Sequence, residues 1–177
     1  MTAVHMSVEQ KKGLAGELYA LELLQSIGYT AYLVSDWMAN VDIILESLLS
    51  VEVKISYPKR HWSGPRGVWR DRWQWDVARL PKNVDSLVIL IAVDRNKERW
   101  PFLVPSWVFF GRGTKTPCLT SEPLEYAQRG RGYLAPYLLN WSVIDEVLEL
   151  RRRFHGAQLV LPMFQDIQEW RVSYERV

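Results

Sequence analysis

The run VDSLVILIAV, residues 84–93, most limits what this chain can fold into. Its apolar part, 86–93, is the longest such run in the sequence, and it is far too short to cross a bilayer, which takes about 20 residues. A short apolar run rich in β-branched residues reads as a buried strand. A buried strand needs partners, and the chain supplies them. Residues 29–34 (YTAYLV) read as a strand, and 41–46 (VDIILE) with 51–56 (VEVKIS) as a hairpin joined by SLLS. Residues 101–110 (PFLVPSWVFF) read as a further strand, interrupted or edged by Pro105.

Helical spacing appears at both ends of this set. Over 7–27, Ser7 and Gln10 fit a capping box, Gly28 is a stop, and Leu14, Leu18, Leu21 and Leu24 or Gln25 trace one face. Gly13 and Gly16 lower helix propensity there, which points to close packing of another element. Over 142–154 (SVIDEVLELRRRF), Val143, Val147, Leu150 and Phe154 share a face, with Ser142 as cap and Arg151–Arg153 at the dipole-favoured end. The expected fold is therefore α/β, a central mixed sheet flanked by helices. One domain over 1–177 is expected, with a core at about 7–110 and a C-terminal helical extension at about 111–177 whose role the sequence leaves blank.

Composition narrows the function classes. The formal net charge is only +2, so overall charge does not argue for a nucleic-acid partner. Cys118 is the single cysteine, which excludes an intrachain disulfide and a Cys-rich metal site. The opening MTAVHMSVEQKK has no apolar signal-peptide region, so a cytoplasmic protein with no membrane partner is expected. Nine Trp is unusual, and three of them lie in PKRHWSGPRGVWRDRW, residues 58–73. Two Pro, two Gly and five cations there read as a loop. Lys59, Arg60, Arg66, Arg70 and Arg72 would neutralise phosphates, and Trp62 could stack on bases or sugars. The bland alternative is a solvated loop whose tryptophans pack on the domain. His5, His61 and His155, like Cys118, are assigned no catalytic part.

The chemistry concentrates in VEVKIS. Glu52 and Lys54 share the face opposite Val51, Val53 and Ile55. Asp42 opens the preceding strand, and Glu17 lies among Leu14, Leu18 and Leu21. A carboxylate facing a core is costly unless paired or metal-bound. Asp42 and Glu52 can cooperate only if the hairpin loop has an odd number of residues or a bulge. Asp42 opposite Lys54, with Ile44 opposite Glu52, meets this and leaves Ser47, Leu48 and Leu49 as the loop. Clustered carboxylates need a cation among them, and oxygen ligands suit Mg²⁺ or Mn²⁺. A lysine beside that cation would position an attacking water or steady a phosphate.

An E-x-K triplet alone is weak, and Glu9-Gln10-Lys11 is another. The combination is stronger. GLAGELYALELLQSIGY, then VD, then VEVK resembles the PD-(D/E)XK nuclease superfamily, with its restriction-endonuclease-like core, over about residues 10–93. The leading helix is most similar to the Holliday-junction-resolvase-like branch. The resemblance implies Glu17 as the helical acid, bound to metal directly or through water, Asp42 and Glu52 as metal ligands, and Lys54 as the catalytic lysine. It also implies that the Val53 backbone carbonyl completes the metal shell and that Gln74 is an accessory candidate. Val41 stands where the motif's proline would be, and nothing after residue 100 corresponds. The expected function is a Mg²⁺- or Mn²⁺-dependent DNA endonuclease or exonuclease that hydrolyses phosphodiester bonds. A homodimer is one expectation, since cutting two strands with one site per chain often uses two copies. The alternative is a nuclease-fold module that binds nucleic acid without cutting, or serves as a subunit of a larger DNA-processing complex.

Overall fold

The computed structural model describes residues 6–34, 41–64, 67–80 and 86–154. Helix α1 (Val8–Ser26) opens with the expected capping box: Gln10 N–H donates to the Ser7 hydroxyl at 3.2 Å, and Ser7 N–H donates to the Gln10 side chain at 2.8 Å. Five strands form the main sheet: β1 (Ala31–Leu33), β2 (Ile43–Leu45), β3 (Ser50–Ser56), β6 (Leu87–Val93) and β7 (Arg99–Pro105). Their order is β1-β2-β3-β6-β7. The β3–β6 pair is parallel and the others antiparallel, so the sheet is mixed as expected. All seven residues of β6 are buried.

The chain between β3 and β6 corrects the loop reading of 58–73. Residues Lys59–Ser63 (β4) and Val68–Gln74 (β5) form an antiparallel hairpin, with Trp62 opposite Trp69. A two-residue strand, Cys118–Leu119 (β8), adds to the base of β5. Gly64 and Gly67 flank the tip, while HW and VWRDRWQ alternate as strands do. The span 101–110 is corrected too. The strand ends at Pro105 and a short helix, α2 (Trp107–Arg112), follows. Pro101 and Pro105 are tolerated because β7 is the last strand of its sheet. Helix α3 (Pro123–Arg129) and helix α4 (Ser142–Phe154) lie in the expected extension, and α4 has the predicted bounds. His5, Arg66, His155 and 155–177 lie outside the described residues. Among the described residues no helix is long and apolar enough to cross a membrane.

Two corrections bear on the site. In the β2–β3 hairpin Ile43 faces Val51 and Ile44 faces Ser50, so the register is offset by two from the expected one. The loop is still three residues, Glu46-Ser47-Leu48, closed by Leu45 N–H to Leu49 O at 3.1 Å. Leu49 is fully buried, and its burial pulls it out of the loop. Leu48 takes the left-handed conformation at φ 63°, and its carbonyl accepts from the Arg151 guanidinium on α4.

The buried stripe of α1 is Gly16, Ala20 and Leu24, while Leu14 and Leu18 are 37% and 42% exposed. Small residues let the helix lie close on β3: a Cβ built on Gly16 would stand 3.1 Å from the Ile55 Cβ. Gly16→Val should overpack this contact and lower the unfolding free energy by about 1–3 kcal/mol, read from chemical denaturation. An unchanged midpoint would mean that α1 can shift freely off the sheet.

Candidate functional site

β3 has two chemically different faces. Val51 and Val53 enter the core beneath α1 and α4. Glu52 and Lys54 point the other way, beside Val88 and Leu90 of β6, toward the core built on Trp73 and Trp75. The indole N–H groups of Trp73 and Trp75 donate to the carbonyls of Val93 and Ile91, at 2.7 and 3.2 Å. Trp73 is thus a core residue, although it sits in the segment read from sequence as a binding loop.

Asp42 stands at the notch where β2 leaves β3. Its N–H donates to Val51 O at 3.0 Å, and its Oδ2 accepts from Val53 N–H at 2.6 Å. The paired register ends at Ile43 opposite Val51, so Asp42 meets β3 through these two bonds alone. Backbone groups two residues apart in a strand face the same side, so the Val53 carbonyl turns toward this notch, as the Val51 carbonyl does.

Glu52 is 6% exposed. One of its oxygens accepts from the Lys54 ammonium, while Oε2 is buried with no hydrogen-bond partner. Burial pushes the Asp42 carboxyl above its ordinary proton affinity, against the opposing Val53 N–H and Lys54 charge. Burial also raises Glu52. The bond from Lys54 opposes that shift, and the Asp42 charge adds to it.

Two cavities flank this strand. One, of about 350 Å³, is lined by Glu17, Asp42, Val53, Lys54, Lys59 and Gln74, among others. The other, of about 370 Å³, is lined by Glu52, Lys54, Asp76, Arg79 and Leu80. Lys54 lines both. The expected convergence of all three acids is therefore corrected: Glu17 shares a cavity with Asp42 but not with Glu52. The reason is that α1 covers the face of β3 opposite Glu52. Among the described residues no three His, Cys, Asp or Glu side chains are grouped to hold a metal ion. Asp42 and Glu52 also line different cavities, and what links them is charge, since the Asp42 carboxylate adds to the upward shift of Glu52.

The β4–β5 hairpin sorts its residues by face. Opposed positions share a face, so Lys59 and Arg72 lie with His61 and Arg70. Trp62 and Trp69 lie on the other face with Arg60 and Asp71. Lys59 and Gln74, on the cationic face, both line the Asp42 cavity. The two tryptophans are 47% and 58% exposed, with ring centroids 5.4 Å apart. Sequence reasoning singled out Trp62 and missed Trp69. The alternation in VWRDRWQ carried the signal.

No family model matches the chain, and no curated protein does. Among solved structures it is similar to that of a bacterial homing endonuclease, I-Ssp6803I. The TM-score is 0.58 at 19% identity, covering 84% of this chain and 99% of that one. At this identity the likeness is one of fold.

The raised carboxyl of Asp42 gives a pH prediction for the metal-free protein. A group that binds protons more tightly when folded loses its stabilising contribution as pH rises from its unfolded value through its folded one. Asp42→Asn should therefore be more stable than the wild type at neutral pH in chelator. That gain should shrink as pH falls toward the ordinary carboxylate value of 3.8. Thermal unfolding across pH measures this, and a variant less stable at neutral pH would count against a strained carboxylate.

Proposed function

We propose that this chain is a DNA nuclease of the PD-(D/E)XK type that hydrolyses phosphodiester bonds with Mg²⁺ or Mn²⁺. The observation that carries this reading is the Glu52 carboxylate, buried beside Lys54 with one oxygen unpartnered and within reach of the Asp42 charge. Two desolvated carboxylates in one place raise each other's energy, and a cation between them relieves that. The donor set is oxygen only, which suits a hard divalent ion. Asp42, Glu52 and the Val53 carbonyl would hold it, with Glu17 reaching it through water from the cavity shared with Asp42. A cation bound there supplies charge stabilisation at the phosphate and a more acidic water.

The chain's own groups do the rest. Lys54, tied to Glu52, holds a non-bridging phosphate oxygen or the attacking water in line. The water oxygen forms a new bond to phosphorus, and the bond to the leaving sugar oxygen breaks. Lys59, Arg70 and Arg72 on the cationic hairpin face carry the flanking backbone, with Arg60, Arg66 and Trp62 as further contacts and Gln74 at the cavity wall. The fold of the solved homing endonuclease is compatible with this activity.

The separation of Glu17 from Glu52 favours a second reading, a module that binds nucleic acid without cutting. Cleavage of labelled linear, branched and single-stranded DNA with Mg²⁺ or Mn²⁺ decides between them. Asp42→Ala and Lys54→Ala should each lower the rate about 10²–10⁴-fold. Mn²⁺ should also raise the melting temperature of the wild type, by the equivalent of about 2.7 kcal/mol at a hundredfold excess over its dissociation constant. That shift should vanish in Asp42→Ala. DNA binding with neither cutting nor a metal shift would leave the non-cutting module standing.

A further inference from the structure

The cavity on the Glu52 side shares Glu52 and Lys54 with the expected site and adds Asp76, Arg79 and Leu80, which that site did not include. Its lining includes the buried Glu52, the shared Lys54, and Arg79. Arg79 is exposed and has no ion-pair partner among the described residues. It is also held in place. Val77 and Leu80, on either side, are 3% and 6% exposed. Val77 N–H donates to Lys115 O at 2.9 Å, and the Asp76 carboxylate accepts from Ala78 N–H at 3.0 Å. A guanidinium on so fixed a turn keeps much of its affinity for an oxyanion, because little backbone remains to be ordered.

We infer that Arg79 binds a backbone phosphate next to the attacked one, so that a DNA strand crosses β3 from the Lys59 cavity to the Arg79 cavity with Lys54 between them. This rests on the nuclease reading and adds the path of the strand. Lys54 lines both cavities, and the cations Lys59 and Arg79 stand one to each side of it. Arginine suits this role because its planar fork can bind a phosphate through two hydrogen bonds.

The test is binding of a labelled mixed-sequence DNA duplex across a salt series, with Ca²⁺ in place of Mg²⁺. Arg79→Gln should bind about tenfold more weakly, and the slope of log affinity against log salt should fall by about 1. Arg79→Lys should keep the slope while losing part of the affinity. Arg129→Gln, the same charge change on α3, should match the wild type in both. Melting temperatures of Arg79→Gln and Arg79→Lys should match the wild type, since an exposed arginine with no ion-pair partner among the described residues contributes little to folding. If Arg79→Gln binds like the wild type, or Arg129→Gln loses as much, the assignment of Arg79 is overturned while the nuclease reading stands. If the wild type shows no salt-dependent binding at all, the nuclease reading fails and Arg79 with it.

Discussion

β3 has to satisfy two faces and two edges at once, and the rest of the described structure is arranged around how it does so. One face is apolar and lies under α1, close enough that Gly16 meets Ile55 without room for a side chain. The other presents Glu52 and Lys54 toward a core of aromatic residues. One edge is fully paired with β6 over six positions. The other is paired with β2 only as far as Val51, and beyond it the Val53 amide is taken by the Asp42 carboxylate. Shortening β2 opens the notch, and the Asp42 carboxylate fills it by accepting from the Val53 amide.

The burial of these carboxylates works against stability. Both are pushed toward the protonated form by desolvation, and Glu52 keeps one oxygen without a partner. Buried polar groups in folded proteins are nearly always satisfied, and exceptions concentrate where a bound group is meant to satisfy them. The aromatic core beneath makes such a placement tolerable. Trp73 and Trp75 lock onto the carbonyls of β6 through their indole nitrogens, so the floor of the site is rigid. The same strand that carries Trp73 inward carries Arg70 and Arg72 on its cationic face, which joins the site to the hairpin arm.

Much of this was legible in the chain. Period-two alternation marked β3 and its Glu52–Lys54 face, and the continuous apolar run marked β6 as buried. The capping box fixed the start of α1, and the polar-apolar rhythm of 142–154 fixed α4. Where reading by pattern went astray, a tertiary cause is visible. Leu14 and Leu18 of α1 drew the eye to the exposed side of the helix, because the buried stripe begins with Gly16 and Ala20, small residues that allow close approach, and reaches a leucine only at Leu24. Pro and Gly near residues 64–67 suggested a loop, because a hairpin's tip and its strands alternate within a few residues. Leu49 fell into the turn on paper and into the core in space.

The sequence by itself determined α1, α4, most strands of the mixed sheet and the residue types of the candidate site, since periodicity and local chemistry are properties of neighbours along the chain. It also dictated that Asp42 and Glu52 could meet only across an odd loop, because parity follows from the pleat alone. Tertiary structure decided the register within that parity, through the burial of Leu49 and the hold of Arg151 on the turn. It decided that Glu17 and Glu52 sit on opposite faces of β3, because which face a helix covers depends on packing between distant segments. It also brought Arg79 to the far side of Lys54. Nothing in the spacing of those two residues foretells that meeting, which depends on the hairpin folding back and on Trp75 anchoring the turn to β6.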